Sequence, residues 1–382
     1  LQVRVIRSAA LWFPTFKVFL MKIKYIGLLA ALVGVCPARA IACDLCGLYT
    51  SMQMQSPVSG SLRLGVAEQF TYQNKTQDSG KYVENTEHQF LKSSITQFSA
   101  QYDLSESAAV QVILPFIDRN YRRFEDGASQ PGSETGIGDM SLLLHYVPFR
   151  STSETSTTWV RLFGGIELPT GDAHRLGEEY AEGHHHGEEE GSDAHDDENG
   201  EHHEVDHDED GHSEHVHSKH NGIDHGAPAV PVRSAVHGHD LALGSGSWDV
   251  PLGLGVTTQY KRLIATADAQ YTIRTEGAYG YRYADDLLWG SSLGTYLVLE
   301  DEAQVSLRAR LSGEYKRRDE SAPGTLAGDT GLNSLFLGPE ITAIVGGSLL
   351  GVLAVDLPVN IENSGLQTLP GYRLRAAFNY RF

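Results

Sequence analysis

Between Ser61 and Phe382 apolar and polar residues alternate with a period of two, in runs far longer than an ordinary strand. In GYRLRAAFNYRF, Tyr372, Leu374, Ala376, Phe378, Tyr380 and Phe382 share one face and Arg373, Arg375, Asn379 and Arg381 the other, because successive strand side chains point to opposite sides. AQVSLRARLSGEY sets Val305, Leu307, Ala309 and Leu311 against Gln304, Ser306, Arg308, Arg310 and Glu314. In LIATADAQYTIR, Asp268, Gln270 and Arg274 oppose Ala267, Ala269, Tyr271 and Ile273. A sandwich strand wetted on one face alternates in the same way, but such strands average about 5 to 6 residues. These runs reach about 11 to 15 residues, past the ~9 to 11 that a strand needs to cross a bilayer.

Backbone groups in lipid find no water, so spanning strands must close into a barrel, apolar side out and polar side in. The sequence therefore predicts an all-β fold over 61–382: a transmembrane antiparallel β-barrel of about 12 strands, its partner the outer-membrane lipid of a Gram-negative cell. Strands are expected near 61–73, 88–102, 106–120, 136–149, 157–169, 246–260, 262–277, 285–299, 303–317, 331–346, 348–361 and 371–382. The apolar run ITAIVGGSLLGVLAVDLPV reads as a tight hairpin rather than a helix, broken at Gly346-Gly347 and ended by Asp356 and Pro358. Short connections (DLSE, YKR, LEDEA, GGS) alternate with longer ones at 74–87, 120–135, 170–245, 278–284, 318–330 and 362–370. Short turns face the periplasm in such barrels, so both termini are placed there and 172–240 becomes the third external loop.

On this register Arg63, Arg161, Arg274, Arg308, Arg310, Arg373, Arg375 and Arg381, with Glu68, Glu167, Asp268 and Glu314, face the lumen. Mixed charge of this kind suits either a polar conduit for a small-molecule solute or a plug of ion pairs that fills the barrel.

Ahead of the barrel, MKIKYIGLLAALVGVCPARA (21–40) has the parts of a secretory signal: Lys22 and Lys24, a short apolar stretch from Tyr25 to Val35, and Ala38-Arg39-Ala40 for cleavage. Residues 1–20 read as an extension from an early start site. Residues 41–60 form a periplasmic segment whose Cys43 and Cys46 allow a local disulfide, a soft-metal pair or a lipid anchor on Cys43.

The loop 172–240 carries 20 acidic and 3 basic residues, a charge of −17 out of the chain's −19. A general basic face for nucleic acid is absent. Fifteen of the 17 histidines fall between His174 and His239. The candidate ligands are His184, His185, His186, His195, His202, His203, His207, His212, His215, His217, His220, His225, His237 and His239, with Cys43 and Cys46 as a second station. Imidazole suits zinc, copper and nickel, and the surrounding carboxylates concentrate cations. The expectation is a long disordered loop that collects transition-metal ions at many modest sites; a pH sensor and a merely solvated acidic loop are the alternatives, histidine titrating near 6.5. No required cofactor is expected.

Gly290-Ser291-Ser292-Leu293-Gly294 matches the G-x-S-x-G elbow, but the elbow needs a strand-to-helix turn and this segment reads as mid-strand, with His88 or His145 the nominal partners. The chain is therefore expected not to be an enzyme.

ETGIGDMSLLLHYVPF, VRLFGGIELPTGDAHRLGE and LALGSGSWDVPLGLGVTTQY carry a resemblance. Through Gly136-Ile137-Gly138-Asp139, Leu168-Pro169-Thr170-Gly171-Asp172 and Gly244-Ser245-Gly246 the chain resembles the Gram-negative outer-membrane barrels labelled for meta-pathway phenol degradation, also called transporters. The resemblance spans roughly Gly136 to Tyr260 and implies a barrel that passes small hydrophobic or aromatic compounds. It supplies no binding residues, and the His-rich insert between the second and third motifs departs from the family pattern.

Overall fold

The computed structural model describes residues 57–125, 127–185 and 233–382, with side chains 181–185 left aside. The segments 1–20 and 21–40, together with Cys43 and Cys46, lie outside the described residues.

Sixteen strands follow in order: β1 (Leu62–Asp78), β2 (Lys81–Val83), β3 (Phe90–Asp103), β4 (Ala108–Glu125), β5 (Ala128–Ile137), β6 (Met140–Thr152), β7 (Ser156–Leu168), β8 (Val250–Tyr260), β9 (Leu263–Ile273), β10 (Asp286–Leu299), β11 (Ala303–Lys316), β12 (Glu320–Ala322), β13 (Thr325–Leu326), β14 (Leu332–Val345), β15 (Leu349–Asn363) and β16 (Leu366–Arg381). Helix α1 (Leu176–His185) and the single turn α2 (Gly238–Leu241) lie between β7 and β8. The long strands pair antiparallel in chain order, and β1 bonds β16 from Arg63–Arg381 to Asp78–Leu366, closing the sheet. Strands β5 and β6 form one stave, both pairing with β4, β5 against its outer half and β6 against its inner half. Twelve staves result, the number the alternation predicts.

Parity assigns the faces. On β16 Leu374, Phe378 and Tyr380 are 42–54 % exposed on the outside, while Arg373, Arg375 and Asn379 are buried inside. Leu307, Leu353, Leu293 and Leu254 continue the apolar exterior on β11, β15, β10 and β8. This surface meets lipid, as a closed barrel requires. Among the described residues no helix is long and apolar enough to cross a membrane.

The short turns lie at one end, between β3 and β4, β6 and β7, β8 and β9, β10 and β11, and β14 and β15. The last of these places Gly346 and Gly347 at φ +58 and +63, with Ser348 N–H donating to the Val345 carbonyl. Two consecutive positive φ values at the centre of the Val345–Ser348 turn match the right-handed twist of the flanking strands, so the apolar run is the hairpin expected.

Three expectations need correction. Residues 120–135 are not a long loop, because β4 continues to Glu125 and turns directly into β5. Residues 362–370 are likewise mostly strand, with Ser364 and Gly365 between β15 and β16. Glu68 does not face the lumen: it shares the outward parity of Val66 and Phe70, where the hydroxyls of Ser94 and Thr96 donate to its carboxylate at 2.6 and 2.5 Å. Arg381 keeps inward parity but sits at the rim, donating to the Gly347 carbonyl at 2.6 Å.

Strand β5 bonds β4 on one side and no named strand on the other. On that open side stand the two ends of the third external loop.

Candidate functional site

The loop between β7 and β8 does not simply leave the barrel. Its first residues, through α1, and its last, from Arg233 through α2, fold back over the lumen as an ordered plug. This corrects the expectation of disorder throughout 172–240; residues 186–232 lie outside the described residues.

The plug is seated by one carboxylate. Asp139 is 5 % exposed and accepts the Gly171 N–H on Oδ1 at 2.8 Å, and the Ser245 N–H and hydroxyl on Oδ2 at 2.7 and 2.8 Å. Beside it the Thr170 hydroxyl donates to the Gly138 carbonyl and accepts the Met140 N–H, both at 2.9 Å. The N–H groups of Leu243 and Gly244 donate to the Asp172 carbonyl. The three motifs behind the resemblance thus converge on one point, where stave β5–β6 breaks at Gly138-Asp139. The glycines are steric requirements: a Cβ on Gly171 would lie 2.6 Å from the Leu243 carbonyl, and one on Gly244 would lie 2.7 Å from Gly171.

Ion pairs and apolar contacts hold the rest. On α1, Glu178 accepts from Arg123 at 2.6 Å and from Arg175 at 2.5 Å, and Arg175 also pairs with Glu134 of β5 and donates to the Tyr121 hydroxyl. Arg119 of β4 donates to the carbonyls of Asp240 and Ala242. Val236 and Leu241 pack on Leu91 and Tyr121, and Leu243 packs on Ile95 and Ile117.

At the centre of the plug two imidazoles stack, His237 on His239, with ring centres 5.4 Å apart and planes 8° from parallel. His237 Nε2 faces Asp329 Oδ2 at 3.0 Å, and His239 Nδ1 faces Glu179 Oε1 at 2.9 Å. The remaining nitrogens, His237 Nδ1 and His239 Nε2, look toward the two oxygens of Asp240 at 3.7 and 3.5 Å. Burial opposes charge on His239, but Asp240 and Glu179 outweigh it and hold its pKa up at about 9. His237 is likewise raised despite burial, by Asp240 and Asp329. Burial works against the Glu179 carboxylate, and His239 overcomes it, so its pKa is lowered.

Below the plug the lumen wall is a ladder of buried ion pairs. Arg274 bridges Asp249, Asp286 and Glu167 at 2.8 to 3.0 Å, Arg310 meets Asp268, Arg373 meets Glu314, and Arg375 meets Asp356 at 2.8 Å. The ladder does not fill the barrel. A cavity of about 80 Å³ opens beneath His239 and Asp240, lined also by Leu91, Arg119, Tyr283, Leu332, Phe336 and Arg373. A second, of about 30 Å³, shares Glu314, Phe336 and Arg373 with it and reaches Arg310, Asp356 and Arg375.

Of the ligand candidates, the described residues bring together only His237 and His239, now with Asp240; α1 ends at His185, and the histidines from His186 to His225 and the cysteine pair lie outside the described residues. Ser292 sits in mid-strand on β10 and shares a hydrogen bond with the Thr266 hydroxyl at 2.7 Å, so the elbow geometry is absent there. His145 is buried on β6 against Gln111. Sequence reasoning missed Glu179, Asp329 and Arg119. Nothing local marks them, since each meets the plug across more than 50 residues of chain.

A closed antiparallel barrel of twelve staves with an apolar exterior and a charged lumen defines an outer-membrane β-barrel protein. No protein-family model matches the sequence, and no curated protein matches it. Among solved structures it is similar to an outer membrane channel from Pseudomonas putida F1, with a TM-score of 0.55 and 14 % identity over 86 % of this chain and 98 % of that one. The β domain of the Bordetella autotransporter BrkA follows at 0.40 and 10 %, covering 85 % of this chain and all of that one. The Ralstonia pickettii toluene transporter TbuX stands at 0.33 and 9 %, over 90 % and 95 % of the two chains. At these identities the likeness is one of fold.

Proposed function

We propose that the protein is an outer-membrane channel for small hydrophobic or aromatic compounds, gated by the folded base of its third external loop. The observation that carries the reading is the space under the plug. With the plug seated it holds about 80 Å³, below the several hundred Å³ of an open small-molecule site, so a guest enters only as the plug shifts; Leu91, Tyr283, Leu332 and Phe336 give it apolar and aromatic walls. Most of the remaining lining is polar, Arg119, Glu314, Lys316, Gln367 and Arg373 among it, and can orient a guest; the Arg373 guanidinium lies 4.6 Å from the Phe336 ring centre. An aromatic solute would replace that face-on contact with one of its own. The neighbouring structure with the matching barrel is itself a channel, which agrees with passage rather than catalysis.

Uptake of phenol into proteoliposomes, compared with a hexose, tests the reading. Phenol entering faster than hexose, and Phe336→Ala reducing that preference, is the expected result. Equal rates for the two solutes, or no flux even when 173–240 is replaced by a short linker, refutes it.

A further inference from the structure

We propose that His237, His239 and Asp240 form a binding site for a divalent transition-metal ion, zinc fitting best, with an open coordination position toward the lumen. The site stands on described residues alone, independent of the His-rich stretch 186–232, and adds a ligand that the solute reading does not require.

The donor set is two imidazoles and a carboxylate whose ligand atoms all lie within 4.8 Å of one another. Imidazole and carboxylate are ligands that zinc accepts, and three protein ligands with one position left open is its usual exchangeable arrangement. Bonds of about 2.0–2.1 Å place neighbouring ligands about 3.3 Å apart, a closure that side-chain rotation supplies.

The orientation of the rings separates a metal site from a plain ion-pair latch. Each imidazole already spends one nitrogen on a carboxylate, Nε2 of His237 on Asp329 and Nδ1 of His239 on Glu179. Metal-bound histidines are commonly held in this way, the second nitrogen donating to a carboxylate that fixes tautomer and ring plane. The nitrogens left over converge on Asp240, and at 3.7 and 3.5 Å they are too far for good hydrogen bonds. His237 Nδ1 has no hydrogen-bond partner although its side chain is only 9 % exposed. His237 Nδ1, His239 Nε2 and the Asp240 carboxylate thus face one another within reach of one bound ion.

Three carboxylates, Glu179, Asp240 and Asp329, surround the two rings, so a divalent cation placed among them meets compensating negative charge. His239 and Asp240 line the larger cavity, so the open position faces the solute path, and an ion there would brace the His237–Asp240 turn.

The test uses the full chain in detergent, with the thirteen histidines from His174 to His225 changed to serine, titrated with zinc by calorimetry and with cobalt by visible absorption. Expected are one equivalent of zinc and an intense tetrahedral cobalt spectrum, both lost in His237→Gln/His239→Gln. Heat-dependent electrophoretic migration monitors barrel folding. Glu179→Gln and Asp329→Asn, which leave all three ligands, should weaken zinc about 10- to 100-fold. A background chain that binds no stoichiometric zinc, or a double glutamine variant that binds it as before, overturns the proposal. Phenol flux is measured separately, so loss of the metal site and loss of channel function are told apart.

Discussion

Asp139→Ala should unseat the plug while leaving the barrel standing. The carboxylate is 5 % exposed and accepts two backbone N–H groups and one hydroxyl. Removing it orphans the Gly171 and Ser245 amides, and a buried donor left without a partner costs about 1–3 kcal/mol. Two of them give about 2–6 kcal/mol, and because about 1.4 kcal/mol is tenfold in an equilibrium, docking of the plug weakens by a factor of roughly 30 or more. None of the ladder hydrogen bonds joining the staves passes through the side chain, so thermal unfolding of the barrel should change little. Single-channel recording in planar bilayers reads the effect directly: the variant should show larger or more frequent openings than the parent, and Asp139→Asn, which keeps an acceptor, should fall between them. The reasoning is refuted if Asp139→Ala conducts like the parent while a chain lacking 173–240 conducts freely.

Gly244→Ala should open the channel like Asp139→Ala, since its methyl would sit 2.7 Å from both Gly171 and Asp139, whereas Gly328→Ala, with open space around it, should have no effect on conductance. Arg375→Ala leaves Asp356 buried without its 2.8 Å partner and should lower stability by about 3 kcal/mol in urea unfolding followed by electrophoretic migration, while Arg375→Leu with Asp356→Leu should recover most of the loss. Ser292→Ala removes one hydrogen bond to Thr266, so stability should shift by about 1 kcal/mol at most, and ester hydrolysis should be absent from parent and variant alike. Protease added to intact cells should cut within 186–232 and leave a protected barrel; resistance of that stretch on cells but not on broken membranes would reverse the assigned orientation.

The barrel was legible because parity is a local property. Each side chain of β9, β11 and β16 faces as its neighbours two positions away dictate, and closure follows from the backbone's need for partners in lipid. The Gly346-Gly347 turn was legible for a similar reason, two glycines marking positive φ inside an apolar run. Strand β5 was not, because ASQPGSETGI is rich in polar and turn-forming residues; Pro131 is tolerated there because the strand pairs on one side only. Glu68 departs from the expectation because its charge suggests the lumen while its parity points outward, where the hydroxyls of Ser94 and Thr96 satisfy its carboxylate. The plug lies at the other extreme. Its three motifs are visible as conserved-looking turns only through resemblance, and their meeting at Asp139 depends on folding distances that no local pattern carries. No local pattern separates His237 and His239 from the other histidines of the loop; their burial and their partners Asp329 and Glu179 come from the tertiary fold.

The stopper is spliced into the middle of the chain, between the fifth and sixth staves, and both its ends are anchored to the wall. If the channel opens as proposed, the stopper moves aside without being expelled, and each closure returns the same piece to the same seat. Its seat is the wall of β3, β4 and β5, so the stopper has a resting place only where those strands stand side by side.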